Sequence, residues 1–174
     1  MKRFFALAIS LAVATTALAA PSESPRPISG AADLCYQQTV KVARGELDNL
    51  SISACNRALR DAPLTRTDRS YVLYNRGIVQ RAKGDLDAAR ASLERSVKLA
   101  DTLDLRHAAL AQVAYTQGDY SVAVRLYEML LQSPSASPDV EKRRATIEKN
   151  LALAVSALRD EARIGDVVLN VSRQ

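Results

Sequence analysis

The chain has 174 residues, 48% hydrophobic and 25% charged, with 24 Lys and Arg against 19 Asp and Glu, one His and no Trp. That is enough to bury the core of one domain. The five excess positive charges, two of them Lys2 and Arg3, are too few and too dispersed for a nucleic-acid footprint. One histidine and two widely separated cysteines exclude the usual ligand spacing of a zinc site.

Residues 1–19 read as a secretory signal peptide. Met1-Lys2-Arg3 is a short basic start, Phe4 to Leu18 is almost unbroken apolar sequence, and Ala17-Leu18-Ala19 has the small-x-small form of a cleavage site. The apolar run is too short for a membrane span, and no later stretch approaches the ~18 apolar residues one requires. The expected product is exported, with the bacterial periplasm as its destination. In that compartment Cys35 and Cys55 point to one disulfide, two buried thiols being the other reading.

Residues 20–30 contain PSESPRPI and read as a flexible leader. From Ala31 the pattern is helical, with Ala32, Cys35, Tyr36, Thr39, Val40 and Ala43 on one stripe and Gly45 as the break. A second helix is expected from about Asp48 to Arg60, closed by Pro63. The next starts at Asp68 as cap and runs to Lys83, with Gly84 as its stop. Helices over Leu86–Leu99, Leu103–Gln117 and Tyr120–Gln132 follow. After a turn at Ser133–Ser137, Pro138 opens a final long helix, and Gly165 is expected to end it. That makes seven helices and a tail over 166–174, in which Val167-Val168-Leu169 is ambiguous and, being apolar, is expected to dock.

A repeat stands out in this order. KGDLDAARASLE at Lys83–Glu94 is echoed by QGDYSVAVRLYE at Gln117–Glu128, and Gly84 and Gly118, Asp85 and Asp119, and Ala89 and Ala123 each lie 34 residues apart. Small residues at Gly77 and Ala89, then at Ala111 and Ala123, fall where two antiparallel helices would meet. A 34-residue period of paired helices with these small positions resembles the tetratricopeptide repeat family. YNRG at Tyr74–Gly77 is a frequent variant of that family's first-helix motif. The departures are Arg76 where the family has Leu, and the scarcity of aromatics.

The resemblance implies an all-α fold: a right-handed superhelical stack of about three helix-turn-helix repeats, over 31–67, 68–102 and 103–135, capped by a helix over 136–165. ACNRAL and Pro63 place the degenerate first repeat by its second helix, putting Thr39 opposite Ser51 and Cys35 opposite Cys55. In the family's register, residues that face each other have a constant sum of numbers, so the resemblance implies the Cys35–Cys55 bridge. It also implies a concave groove lined by first helices. Matched spacing gives Tyr36, Val40 and Ala43, then Tyr74, Ile78 and Arg81, then Ala108, Gln112 and Tyr115, and Asn75 beside Tyr74 is a further groove candidate.

Function follows as an expectation: a scaffold that binds a protein or peptide in the groove, without catalysis, metal or cofactor. His107 falls in a packing position opposite Tyr127, and no phosphate loop, nucleophile elbow or paired carboxylates occur. The Lys142-Arg143-Arg144 cluster has acidic neighbours and reads as a solvated helix face rather than a nucleic-acid site. The alternative is a self-assembling structural envelope protein whose groove is filled by its own C-terminal tail.

Overall fold

The computed structural model describes residues 30–134 and 136–171, so the expectations for residues 1–29, signal peptide and leader, lie outside the described residues. Among those described, the structure is all helical: α1 (Ala31–Ala43), α2 (Ser53–Asp61), α3 (Arg66–Ala82), α4 (Leu86–Leu99), α5 (Leu105–Thr116), α6 (Tyr120–Gln132), α7 (Pro138–Lys142) and α8 (Arg144–Val171). None of these helices is long and apolar enough to cross a membrane.

The contacts define two layers. α3 touches both α1 and α2, α5 touches both α3 and α4, and α8 touches both α5 and α6. Helices α1, α3, α5 and α8 therefore form one layer, and α2, α4 and α6 a second layer against it. The core runs between the layers through Cys35, Cys55 and Val72, then Leu93 and Val113, then Tyr127, Val140 and Ala154, all buried.

Local chemistry explains the helix ends. Gly84 and Gly118 have φ of 81° and 83°, values at which a Cβ would be strained. Each lets the next N–H fold back onto the helix, Asp85 to the Gln80 carbonyl at 3.0 Å and Asp119 to the Ala114 carbonyl at 2.9 Å. At the other ends, Asp85 caps α4 through the Ala88 N–H, and Asp104 caps α5 through the Arg106 N–H.

Several boundaries differ from expectation. α3 starts two residues before the expected cap at Asp68, because Thr65 is the N-cap and Asp68 completes a capping box with it. α2 starts at Ser53 rather than Asp48, with Asn49 in the left-handed region at φ 58°. Ser51 is then outside the helix, its N–H bonded to the Gln38 side chain at 2.9 Å, while the Thr39 hydroxyl donates to the Asn75 carbonyl at 3.4 Å. Ser51 therefore does not face Thr39 from within α2 as expected. The expected bridge forms: the Cys35 and Cys55 sulfurs are 2.08 Å apart.

The last helix is broken at Arg143, whose φ and ψ of −111° and 9° divide it into α7 and α8. Gly165 does not stop α8, which continues to Val171. One glycine costs a helix interior only about 1 kcal/mol relative to alanine, which the flanking turns can absorb. The segment expected as a tail is helical over 166–171.

Candidate functional site

The described face of the α1–α3–α5–α8 layer carries a cavity of about 390 Å³. Each helix contributes one stripe at i, i+3 or i+4 spacing, which is what puts side chains on a single helical face. α1 gives Thr39, Val42 and Ala43; α3 gives Tyr74, Ile78 and Arg81; α5 gives Leu105, Ala108, Ala109 and Gln112. The fourth wall is Arg143 at the α7–α8 junction with Thr146, Ile147 and Asn150 on α8.

Of the residues expected in the groove, Tyr74, Ile78, Arg81 and Gln112 meet there, together with Ala43 and Ala108. Arg81 donates to the Gln112 side-chain oxygen and so ties α3 to α5 across the floor. Burial raises the Tyr74 phenol above the ordinary tyrosine range, against the opposing pull of Arg143 and then Arg81.

Four expected residues lie elsewhere. Asn75 is buried on the flank of α3, and its carbonyl accepts from Thr39. The Tyr115 ring packs on Tyr120 at 5.4 Å, against the α5–α6 side of the core. Tyr36 is half exposed and Val40 half buried, both outside the cavity. The spacing put Tyr115 a fraction of a turn too far round its helix, and Asn75, next to Tyr74, lies about 100° round α3 from it. The α8 wall was missed because Arg143 was assigned to a solvated cap face. Its stripe, 143, 146, 147 and 150, was nevertheless visible at helical spacing.

A polar network the sequence did not announce ties α5 to α3 and α3 to α4. Arg106, 5% exposed, grips Asp104 through Nε at 2.7 and 2.9 Å and also donates to the Ser70 hydroxyl. Ser70 donates to the Ser96 carbonyl at 2.7 Å, and Ser96 donates back to the Ser70 carbonyl at 2.7 Å. The Arg106 guanidinium also lies 4.8 Å from the centre of the Tyr71 ring. Burial opposes the Asp104 charge, but the neighbouring His107 ring and the Arg106 guanidinium outweigh it and hold the carboxyl at about 2. His107 is itself buried, and its Nδ1 accepts the Asp104 N–H at 3.4 Å, so it serves the helix start.

Arg76, the departure from the family's leucine, is half buried and bonds Ser92 at 3.0 Å and Asn56 at 3.2 Å. It joins α3 to α4 and α2 by hydrogen bonds where an apolar residue would pack. Burial lowers its pKa, and Arg95 nearby lowers it further.

No protein-family model and no curated protein matches the chain.

Proposed function

We propose that the protein is an exported scaffold of the tetratricopeptide type, acting in a bacterial periplasm, that holds a protein or peptide in the groove of its α1–α3–α5–α8 layer and performs no chemistry. The 34-residue repeat supports the family reading, as do the small residues at Gly77, Ala89, Ala111 and Ala123. On this reading the layers are turns of a right-handed superhelix, with α8 in the place of a further first helix.

The observation that carries the reading is the cavity of about 390 Å³ formed by one stripe from each of four helices. Such a surface mixes apolar contact from Ile78, Ile147, Ala108 and Ala109 with hydrogen-bonding groups from Gln112, Thr146, Asn150 and Tyr74. That mixture suits a polypeptide, whose backbone needs donors and acceptors while its side chains need apolar contact. The alternative, in which the protein's own tail fills the groove, then calls for a second copy. Between Asn150 at the groove and Val171, α8 advances roughly 30 Å at 1.5 Å per residue.

The test is crosslinking in the exporting cell from a photoreactive residue at Tyr74, with an identical residue at exposed Ala91 on the outer layer as control. Adducts at position 74 and none at 91, mapped by mass spectrometry to one partner, are expected. Equal adducts at both positions would remove the groove from the account, and adducts only to a second copy would establish self-assembly.

A further inference from the structure

The charges that face the groove are unbalanced. Two of its lining residues are charged, and both are arginines: Arg81 on α3 and Arg143 at the α7–α8 junction. Among the described residues no carboxylate lines the cavity. The acidic groups at the start of α5 and on α7 are already paired. Asp104 is gripped by Arg106, Asp139 pairs with Lys142 at 3.1 Å, and Glu141 pairs with Arg144 through Nε at 2.9 Å.

Arg81 is held by an amide oxygen, a neutral partner, so its positive charge is hydrogen-bonded but not neutralised. Arg143 is exposed and sits at the helix break, which turns it toward the cavity instead of onward along α7. Both guanidiniums lie within electrostatic reach of the Tyr74 hydroxyl and act on it. Two like charges facing one partly enclosed space repel each other, and an anion between them relieves that repulsion. Guanidinium groups present their N–H donors in a fork that matches a carboxylate.

Resting on the groove reading above, we infer that the occupant is an acidic polypeptide segment, one that places a side-chain carboxylate between Arg81 and Arg143 while a neighbouring apolar side chain packs on Ile78 and Ile147. The specificity then has two sources in the chain. α3 supplies one cation from within the repeats, and the α7–α8 junction supplies the other.

The probes are two rhodamine-labelled libraries of short peptides with both ends capped. They share an Ala/Leu/Ser background and differ only in carrying Glu or Gln at the variable positions. Anisotropy titrations with the full exported chain should show the Glu library binding at least about tenfold tighter, the loss expected when a charge-assisted contact is removed. Arg81→Glu and Arg143→Glu should each erase most of that preference. The double variant should instead prefer a matched Lys library, a reversal that loss of folding would not produce. Circular dichroism confirms that each variant folds.

Equal binding of Glu and Gln peptides, or a Glu preference that survives in the double variant, would overturn the inference. So would absence of Glu-library binding, or tighter binding of a single-stranded oligonucleotide than of the Glu library. Thr146→Trp, on an exposed groove position, separates this from the broader reading. If Glu and Gln peptides bind the unaltered chain equally and Thr146→Trp blocks both, the groove stands and the charge rule falls. If it blocks neither library, both fall.

Discussion

The N-terminal helix pair and the middle pair solve one packing problem in two ways. In α3 and α4, a Cβ built on Gly77 would lie 2.6 and 2.9 Å from Leu93 carbons and 3.2 Å from the Ala89 carbonyl oxygen. The helices meet at van der Waals contact, with Leu73 and Leu93 fully buried beside the contact. The contact of α1 and α2 has no glycine, and the small residues buried there are Ala32, Ala54 and Ala58. α2 has 9 residues against 14 in α4, and the connection from Gly45 passes through a non-helical stretch. Here the contact is covalent, through Cys35 and Cys55 with their Cα atoms 4.6 Å apart. A short helix has little surface to pack, so a cross-link reinforces here a contact that the longer pair makes by packing alone. The stability of one pair should therefore depend on volume, and that of the other on redox state.

The largest effect is expected at the packed pair. Gly77→Val forces side-chain atoms into fully buried Leu93 and into the Ala89 backbone, which cannot swing away as a flexible side chain could. Overpacking of this kind should cost about 4 kcal/mol, above the common range because backbone is involved. Urea unfolding measures it. A loss below about 1 kcal/mol would show that α3 and α4 can separate freely.

Next in size is the staple. Cys35→Ala with Cys55→Ala should lower stability by about 3 kcal/mol, given the 20-residue separation and the loop-entropy model. The loss should be local. Hydrogen exchange should quicken in α1 and α2 while α4 to α6 keep their protection. Uniform loss of protection along the chain would mean that the two pairs unfold as one unit and that the contrast between them is not energetic.

Acid tests the network that joins α5 to α3 and α4, outside the stapled pair. The Asp104 carboxyl is depressed to about 2 in the folded protein from an ordinary value of 3.8. A depressed carboxyl stabilises the fold above its unfolded pKa, and that contribution disappears as pH falls through the folded value. The window is therefore about pH 4 down to about pH 2, and the amount roughly 2 kcal/mol. Asp104→Asn should flatten this part of the stability–pH curve, with little change in the effect of reducing the disulfide. An unaltered acid slope in that variant would move the responsibility to other carboxyls.

How much of this was legible in the sequence depended on whether backbone or side-chain chemistry fixed the element. Helix stops at Gly84 and Gly118 were readable because positive φ singles out glycine. The facing of Gly77 and Ala89, and of Cys35 and Cys55, followed from the repeat. In the groove, Tyr74, Ile78, Arg81 and Gln112 were readable from helical spacing. The rest depended on contacts that no local pattern carries. Ser70, Ser96 and Arg106 are brought together across three helices, and nothing in their spacing marks them. The split at Arg143 sets the α8 wall, and it lies in sequence that propensity alone reads as continuous helix.

The smallest effect discriminates by its sign. If Ser51 were in a helix facing Thr39, as the repeat register implied, Ser51→Ala would remove a polar group from a tight contact and raise helix propensity, and so would stabilise. In the structure Ser51 is exposed ahead of α2, and its hydroxyl oxygen accepts the Ser53 N–H at 3.2 Å and bonds the Ser53 hydroxyl at 2.9 Å. There alanine leaves the first turn of a short helix without a partner it uses, a role close to that of an N-cap. The expected change is a loss of about 0.5 kcal/mol, small because water replaces the lost bond at an exposed site. Measuring it in the Cys35→Ala/Cys55→Ala background makes α2 more sensitive, since the staple no longer masks fraying at that end. A gain in stability in either background would restore the longer α2 and the Thr39–Ser51 contact, and with them a first pair built like the second.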